Sequence, residues 1–172
     1  RSFTQADTLA LDVEVLVQVD EEVPPTDGET GTLPEGPISL DASLEEGDQG
    51  ERIVKGGAPG KVYELELNIA GAPELTGWSV VIEIEPDQVR FVDGSFAGGP
   101  FIPGLIGLSI VEETNFEVGG AVLGTGSNSG AGSLGNISVE LLDGFSEQTT
   151  LRITEVSYRL AAGGSESFSV SN

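Results

Sequence analysis

Residues 61–69, KVYELELNI, and residues 77–85, GWSVVIEIE, decide the fold. In the first stretch Tyr63, Leu65, Leu67 and Ile69 fall on one side, and Val62, Glu64, Glu66 and Asn68 on the other. A period of two marks a half-buried strand. In the second, Trp78, Val80, Ile82 and Ile84 share a face, opposite Ser79, Val81, Glu83 and Glu85. The single tryptophan thus sits on the apolar side, which predicts a core anchor rather than an exposed platform for a sugar ring. Gly71 to Pro73 interrupts the pattern, so two strands are expected here.

The same reading extends outward. Residues 38–44 alternate, and residues 53–54 follow a polar turn. Residues 89–92, 108–111, 115–123, 135–142, 149–159 and 165–170 read as further strands. Residues 94–107 and the Gly/Ser-rich stretch 124–133 read as loops, the second simply flexible. About nine short strands, with no credible helix, predict an all-β antiparallel sandwich. No internal repeat of 20–50 residues is visible.

The chain has 172 residues, enough for one domain or one domain with an arm. Asp and Glu number 29 against 7 Lys and Arg, a formal charge of -22. That charge repels nucleic-acid backbones and anionic membrane surfaces. No stretch approaches the 18 or so apolar residues of a membrane-spanning helix. There is no His, Cys or Met, and lysine occurs only as Lys55 and Lys61. Ser-His-Asp and Cys-His nucleophiles cannot be built, nor can a Cys/His zinc site. Glu83 and Glu85 lie two apart on one strand, which does not set an acid and a nucleophile across a cleft. No catalytic residue is expected, and the chain reads as a non-enzyme.

Calcium is the metal class that oxygen ligands leave open. Its candidate stretches are Asp27-Gly28-Glu29, Glu45-Glu46-Gly47-Asp48 and Glu112-Glu113. None has the spaced carboxylates of an EF-hand loop, and a solvated acidic surface accounts for them, so no metal site and no cofactor are expected. Asn136-Ile137-Ser138 fits a glycosylation sequon, but its place within an apolar strand argues against use.

The N-terminal part differs. Within residues 8–20, TLALDVEVLVQVD, the side chains of Leu9, Leu11, Val13, Val15, Val17 and Val19 alternate onto one face. Six such side chains carry a burial gain on the order of 10 kcal/mol, and a strand of this kind left free in water aggregates. Residues 20–37 hold four prolines and six acidic residues, the composition of an extended, self-repelling linker. The expected organisation is a strand arm at 1–19, a linker at 20–37 and a sandwich at 38–172. The arm has three courses: the last strand of a preceding domain, an edge cover on its own sheet, or donation to the next subunit. The chain begins at Arg1 rather than Met, which fits a processed secreted product or a cut fragment.

Residues 47–96, GDQGERIVKGGAPGKVYELELNIAGAPELTGWSVVIEIEPDQVRFVDGSF, resemble the first half of a cohesin-type domain, including the Pro86-Asp87 turn that closes the tryptophan strand. Residues 132–140, GSLGNISVE, resemble the family's G-x-L-G-x-I-x-F strand, with Val139 at its aromatic position. Leu142-Asp143-Gly144-Phe145 and residues 149–156, TTLRITEV, resemble its closing strands. The resemblance covers about residues 38–172 and lies nearer to the cohesin-like domains of large bacterial surface proteins than to cellulosomal cohesins. It implies a nine-stranded jelly roll that binds or assembles, outside the cell or at its surface, without catalysis. Cellulosomal cohesins hold dockerins on the sheet with their central strands, yet no dockerin-contact motif carries over onto this chain.

A simple cohesin needs no long apolar strand ahead of its first. The expectation is therefore an extracellular structural subunit that donates Leu9 to Val19 to an identical neighbour, giving a head-to-tail filament. The alternative is a cohesin-type binding module for a dockerin-like or carbohydrate partner. Phe96, Phe101, Ile102, Leu105 and Ile106, in an unusually apolar loop, cap the core by default and form the second choice of subunit interface.

Overall fold

The computed structural model describes residues 15–18, 38–41, 53–55, 57–145 and 148–169, and every regular element in it is a strand. The elements are β1 (Val15–Gln18), β2 (Ile38–Asp41), β3 (Ile53–Lys55), β4 (Val62–Glu83), β5 (Val89–Phe91), β6 (Ala97–Gly98), β7 (Leu105–Val111), β8 (Asn115–Val122), β9 (Asn128–Leu141), β10 (Gln148–Leu160) and β11 (Ser165–Ser169). One break expected from the sequence is absent. The two stretches that decide the fold are one 22-residue strand, β4.

β4 is shared by both layers of the sandwich. Its first half pairs with β2 and β9, and its second half with β10 and β8. The change of layer comes between Ile69 and Leu75, where the ladder to β9 slips twice and Gly71 takes a φ of 66°. A side chain is disfavoured at such a φ, and glycine is not. The slip also explains a parity switch. Odd-numbered Tyr63, Leu65, Leu67 and Ile69 are buried before it, and even-numbered Trp78, Val80 and Ile82 after it. One core joins the layers, with Leu40, Leu65, Leu67, Val80, Ile82, Phe116, Ile137, Leu141 and Leu151 all buried within it. Phe91 stacks on Phe116 with ring centroids 4.7 Å apart, and Phe96 meets Trp78 edge-on at 5.8 Å.

The front layer runs β7-β8-β4-β10-β11, and every neighbouring pair is antiparallel. The back layer holds β2, the first half of β4, and β9, with β5 and β6 on the far side of β9. The chain forms the all-β sandwich expected from the periodicity, with the jelly-roll architecture that the cohesin resemblance implies.

Three expectations are corrected. Residues 128–133 belong to β9 rather than to a flexible loop. Asn128 Nδ2 donates to the Phe101 carbonyl at 2.6 Å, and Gly132 lets the Phe101 ring lie where a Cβ would come within 2.9 Å of it. The stretch 94–107 contains β6 and the start of β7.

The third concerns the arm. Val15–Gln18 pairs antiparallel with β10 and parallel with β3 of the same chain, Val15 opposite Leu151 and Leu16 opposite Ile53. The described part of the expected donor strand is thus docked at home, where β10 supplies the backbone partners that donation would have supplied from a neighbour. Leu9, Leu11, Val13 and Val19, and the linker at 20–37, lie outside the described residues.

Candidate functional site

Alternation places the outward residues of the front layer directly. Trp78, Val80 and Ile82 point into the core, so Gly77, Ser79 and Val81 point out. The ladder registers then set three rows across the layer. One runs Ile106, Ala121, Gly77, Arg159, Ser165; the next Leu108, Gly119, Ser79, Ser157, Ser167; the third Ile110, Glu117, Val81, Glu155, Ser169. Five strands at about 4.8 Å make a face about 19 Å wide.

The middle of this face is floored by glycine, alanine and serine. Gly77 and Gly119 are tied to that role: a Cβ on Gly119 would meet the Trp78 carbonyl at 2.3 Å, and one on Gly77 the Gly120 carbonyl at 2.7 Å. The strands approach too closely there for a side chain. A shallow depression of about 330 Å³ results, bordered by Gly77, Ser79, Ser157, Arg159, Ser165 and Ser167. Its hydroxyls are partly satisfied, with Ser157 and Ser167 joined at 2.8 Å.

One side of the floor rises into an apolar ridge. On β7, Ile106 is 51%, Leu108 69% and Ile110 58% exposed, and Leu123 beyond β8 is 80% exposed. Ile106 to Ile110 spans about 13 Å along the strand. Charge is distributed unevenly over the face. Glu117 and Glu155 flank Val81 at one end, while Arg159 stands exposed at the other without a salt bridge among the described residues. Beneath the floor, Tyr158 is 4% exposed and its hydroxyl has no hydrogen-bond partner among the described residues; burial pushes its phenol up from the ordinary value. It stays protonated at neutral pH and serves as packing, edge-on to Phe168 at 5.7 Å.

The residues expected from sequence fall in different places. Val15 and Val17 lie on β1, between β10 and β3. The apolar loop is divided by the fold: Phe101 and Ile102 are buried, and Phe96 and Leu105 pack on the core. Of the five residues of the second-choice interface, only Ile106 is fully exposed, while Phe96 and Leu105 are half-buried. Trp78 is a core residue at 4% exposure. Glu85 binds Gln88 and Thr149, and Glu112 accepts from Asn115 at 3.1 Å. Among the described residues no group of three carboxylates is placed to hold a metal ion. The candidate stretches 27–29 and 45–48 lie outside them.

Leu108 and Ile110 are what sequence reasoning missed. Their signal is present in residues 105–111, LIGLSIV, where small residues alternate with large ones and both faces are uncharged. Starting the strand at residue 108 concealed the alternation.

No protein-family model matches the sequence, and no curated protein matches it. Solved structures do match. A cohesin module from a family 33 glycoside hydrolase of Clostridium perfringens aligns with a TM-score of 0.53 at 18% identity, covering 66% of this chain and 82% of that one. A non-cellulosomal cohesin from Archaeoglobus fulgidus aligns at 0.50 and 16%, covering 66% and 83%. The sixth cohesin of Acetivibrio cellulolyticus scaffoldin B, solved in complex with a Cel5 dockerin, aligns at 0.53 and 12%, covering 79% and 94%. Identities this low speak for architecture alone. With two layers joined by β4 over a single core, the chain has a cohesin-like fold over about 66% of its length.

Proposed function

We propose that this chain is a non-catalytic, cohesin-type binding module whose partner is a dockerin-like protein domain seated on the outer face of β7, β8, β4 and β10. The observation that carries the reading is the face itself: a flat floor of Gly77, Ser79, Gly119, Ala121 and Ser157 beside an exposed ridge of Ile106, Leu108 and Ile110. A helix about 10 Å across fits such a step. Its backbone approaches the small residues while apolar side chains spaced three and four apart pack along the ridge. Solved neighbours of the same fold include cohesins in complex with dockerins. The reading places the protein outside the cell or on its surface, and no helix among the described residues is long and apolar enough to cross a membrane.

A carbohydrate partner is the weaker fit. Sugar rings stack on exposed aromatic faces, whereas Trp78 and Tyr158 are each 4% exposed beneath the floor. The test is titration of a panel of purified dockerin domains into the full chain by calorimetry. Binding that Leu108→Lys weakens at least tenfold supports the proposal. Binding indifferent to Leu108→Lys, or none across the panel, overturns it.

A further inference from the structure

Among the described residues β7 has a hydrogen-bonding partner on one side only, β8, and its ladder runs through all seven residues without a slip. A free strand edge is a template for another strand, and proteins blunt such edges with charge, proline, bulges or shortness. The other edge strands are blunted in these ways. Among the described residues β11 carries Glu166, β2 carries Asp41 and β3 carries Lys55, while β5 has three residues and β6 two. β7 is seven residues long and has no charge, no proline and no bulge, in a chain whose formal charge is -22. Its exposed row of Ile106, Leu108 and Ile110 stands at that same edge.

We propose that a second copy of this chain pairs with it, the two β7 strands lying antiparallel about a twofold axis at Leu108. In that register Leu108 faces Leu108 of the second copy, Ile106 faces Ile110, Gly107 faces Ser109 and Leu105 faces Val111. All seven residues are paired by seven. The carboxylates that follow the strand, Glu112 and Glu113, fall opposite Gly104 and Pro103, so none meets another across the contact. Sliding the axis toward the N-terminus sets Ile110 against Ile102, which is 2% exposed and held in the core. The self-complementary arrangement is isologous and closes as a dimer rather than growing into a fibre.

Two bodies of this charge repel one another, and that repulsion is screened by salt while the ladder and the apolar contact are not. The dimer therefore tightens as salt rises. A partner held by opposite charge shows the reverse. A single strand ladder lies below the roughly 1,200 Å² of stable interfaces, so the association is weak and visible at high concentration. It goes beyond the dockerin reading and does not depend on it: the floor of β8, β4 and β10 stays uncovered, the ridge of Ile106, Leu108 and Ile110 is shared by the two contacts, and the dimer is read in the absence of any dockerin.

The experiment uses cysteine substitutions in the full chain, which has no cysteine of its own. Facing Cα atoms in an antiparallel ladder are about 4.5–5.5 Å apart, within disulfide reach. Under mild oxidation Leu108→Cys is expected to cross-link to itself. Ile106→Cys and Ile110→Cys are expected to cross-link when mixed and neither alone. Leu123→Cys, 80% exposed but beyond the ladder, is the control and stays uncross-linked. Sedimentation equilibrium of the unsubstituted chain reads the same contact: the average mass rises from 17.8 kDa toward twice that value with concentration, and more so in 0.5 M than in 0.05 M NaCl on the order of the screening change. A mass that stays at the monomer value at high salt overturns the proposal. So does cross-linking of Leu123→Cys as readily as Leu108→Cys, or dimer formation that salt weakens.

Discussion

The two halves of β4 carry the same inward pattern and very different outward ones. In the back layer the outward row is Val62, Glu64, Glu66 and Asn68, and its polar groups are joined sideways. Asn136 Nδ2 donates to Glu64 at 3.2 Å, Asn68 Nδ2 to Glu66 at 3.3 Å, and Arg90 to Glu140 through Nε at 3.1 Å and Nη2 at 2.8 Å. In the front layer the outward row is Gly77, Ser79 and Val81, beside a ridge that nothing among the described residues covers. A surface whose polar groups bond to each other is complete in water. A surface that leaves a flat floor and an apolar edge in water is stabilised further by a partner. The difference is what makes the front layer the candidate site, although both faces belong to one strand.

The comparison assumes one cooperative core beneath both faces, and that assumption meets the largest expected effect. Trp78→Ala in the front half and Leu67→Ala in the back half, at 4% and 0% exposure, are each expected to lower stability by about 3–5 and 2–5 kcal/mol respectively. Denaturant unfolding followed by circular dichroism and by fluorescence, of tryptophan in Leu67→Ala and of tyrosine in Trp78→Ala, which has no tryptophan left, should show one coincident transition for both variants. Two separate transitions would mean that the layers are independent units and that β4 does not couple them.

Next in size is the contrast between faces. Leu108→Lys is expected to weaken a dockerin-type partner at least tenfold, and Glu66→Lys, on the back face, to leave it within twofold. Each should change stability by no more than about 0.5 kcal/mol, as surface substitutions do. Calorimetric titration and melting curves of the same two variants check both halves of the statement. Equal effects on binding would erase the distinction between the faces.

Tyr158 sharpens the picture of the floor from beneath. Its phenol is pushed up by burial, so the folded chain keeps the proton that the unfolded chain releases near pH 10. The native state then binds more protons than the unfolded state above that pH. Stability contributed by the neutral phenol is present below about pH 10 and is lost as the pH rises beyond it. Tyr158→Phe should flatten this alkaline loss, and at neutral pH should be neutral or stabilising by up to about 1 kcal/mol, because the hydroxyl is buried without a partner among the described residues. Urea titrations of both proteins at pH 7 and pH 10.5 measure the difference.

The smallest effect belongs to the back face. Arg90→Ala removes an ion pair whose arginine side chain is 61% exposed, and should cost about 0.2–1 kcal/mol, shrinking as salt is added. A loss well above that range would show that the lateral network matters to the fold and not only to the surface.

Much of the fold was legible because alternation is local. The burial of Tyr63, Leu65 and Leu67, and of Trp78, Val80 and Ile82, follows from counting by twos. Less of the site was. Residues 94–107 read as a loop because glycine and proline interrupt any pattern, yet Phe101 and Ile102 reach the core while Ile106 begins an exposed ridge. Gly132 likewise looks flexible in sequence and is a strand residue because the Phe101 ring lies against it. What a glycine is for depends on what lies over it, and that neighbour is distant in the chain.

The sequence by itself determined the class. Its periodicity demands strands, its charge repels polyanionic partners, and its lack of histidine and cysteine rules out Ser-His-Asp and Cys-His nucleophiles built from this chain. Only the tertiary structure decided which outward row is the bonded one and which is open, and that the described part of the arm rests between β10 and β3 of its own chain. The reason is that side-chain alternation records which face of a strand is wet, whereas strand neighbours are chosen by contacts between residues far apart in sequence.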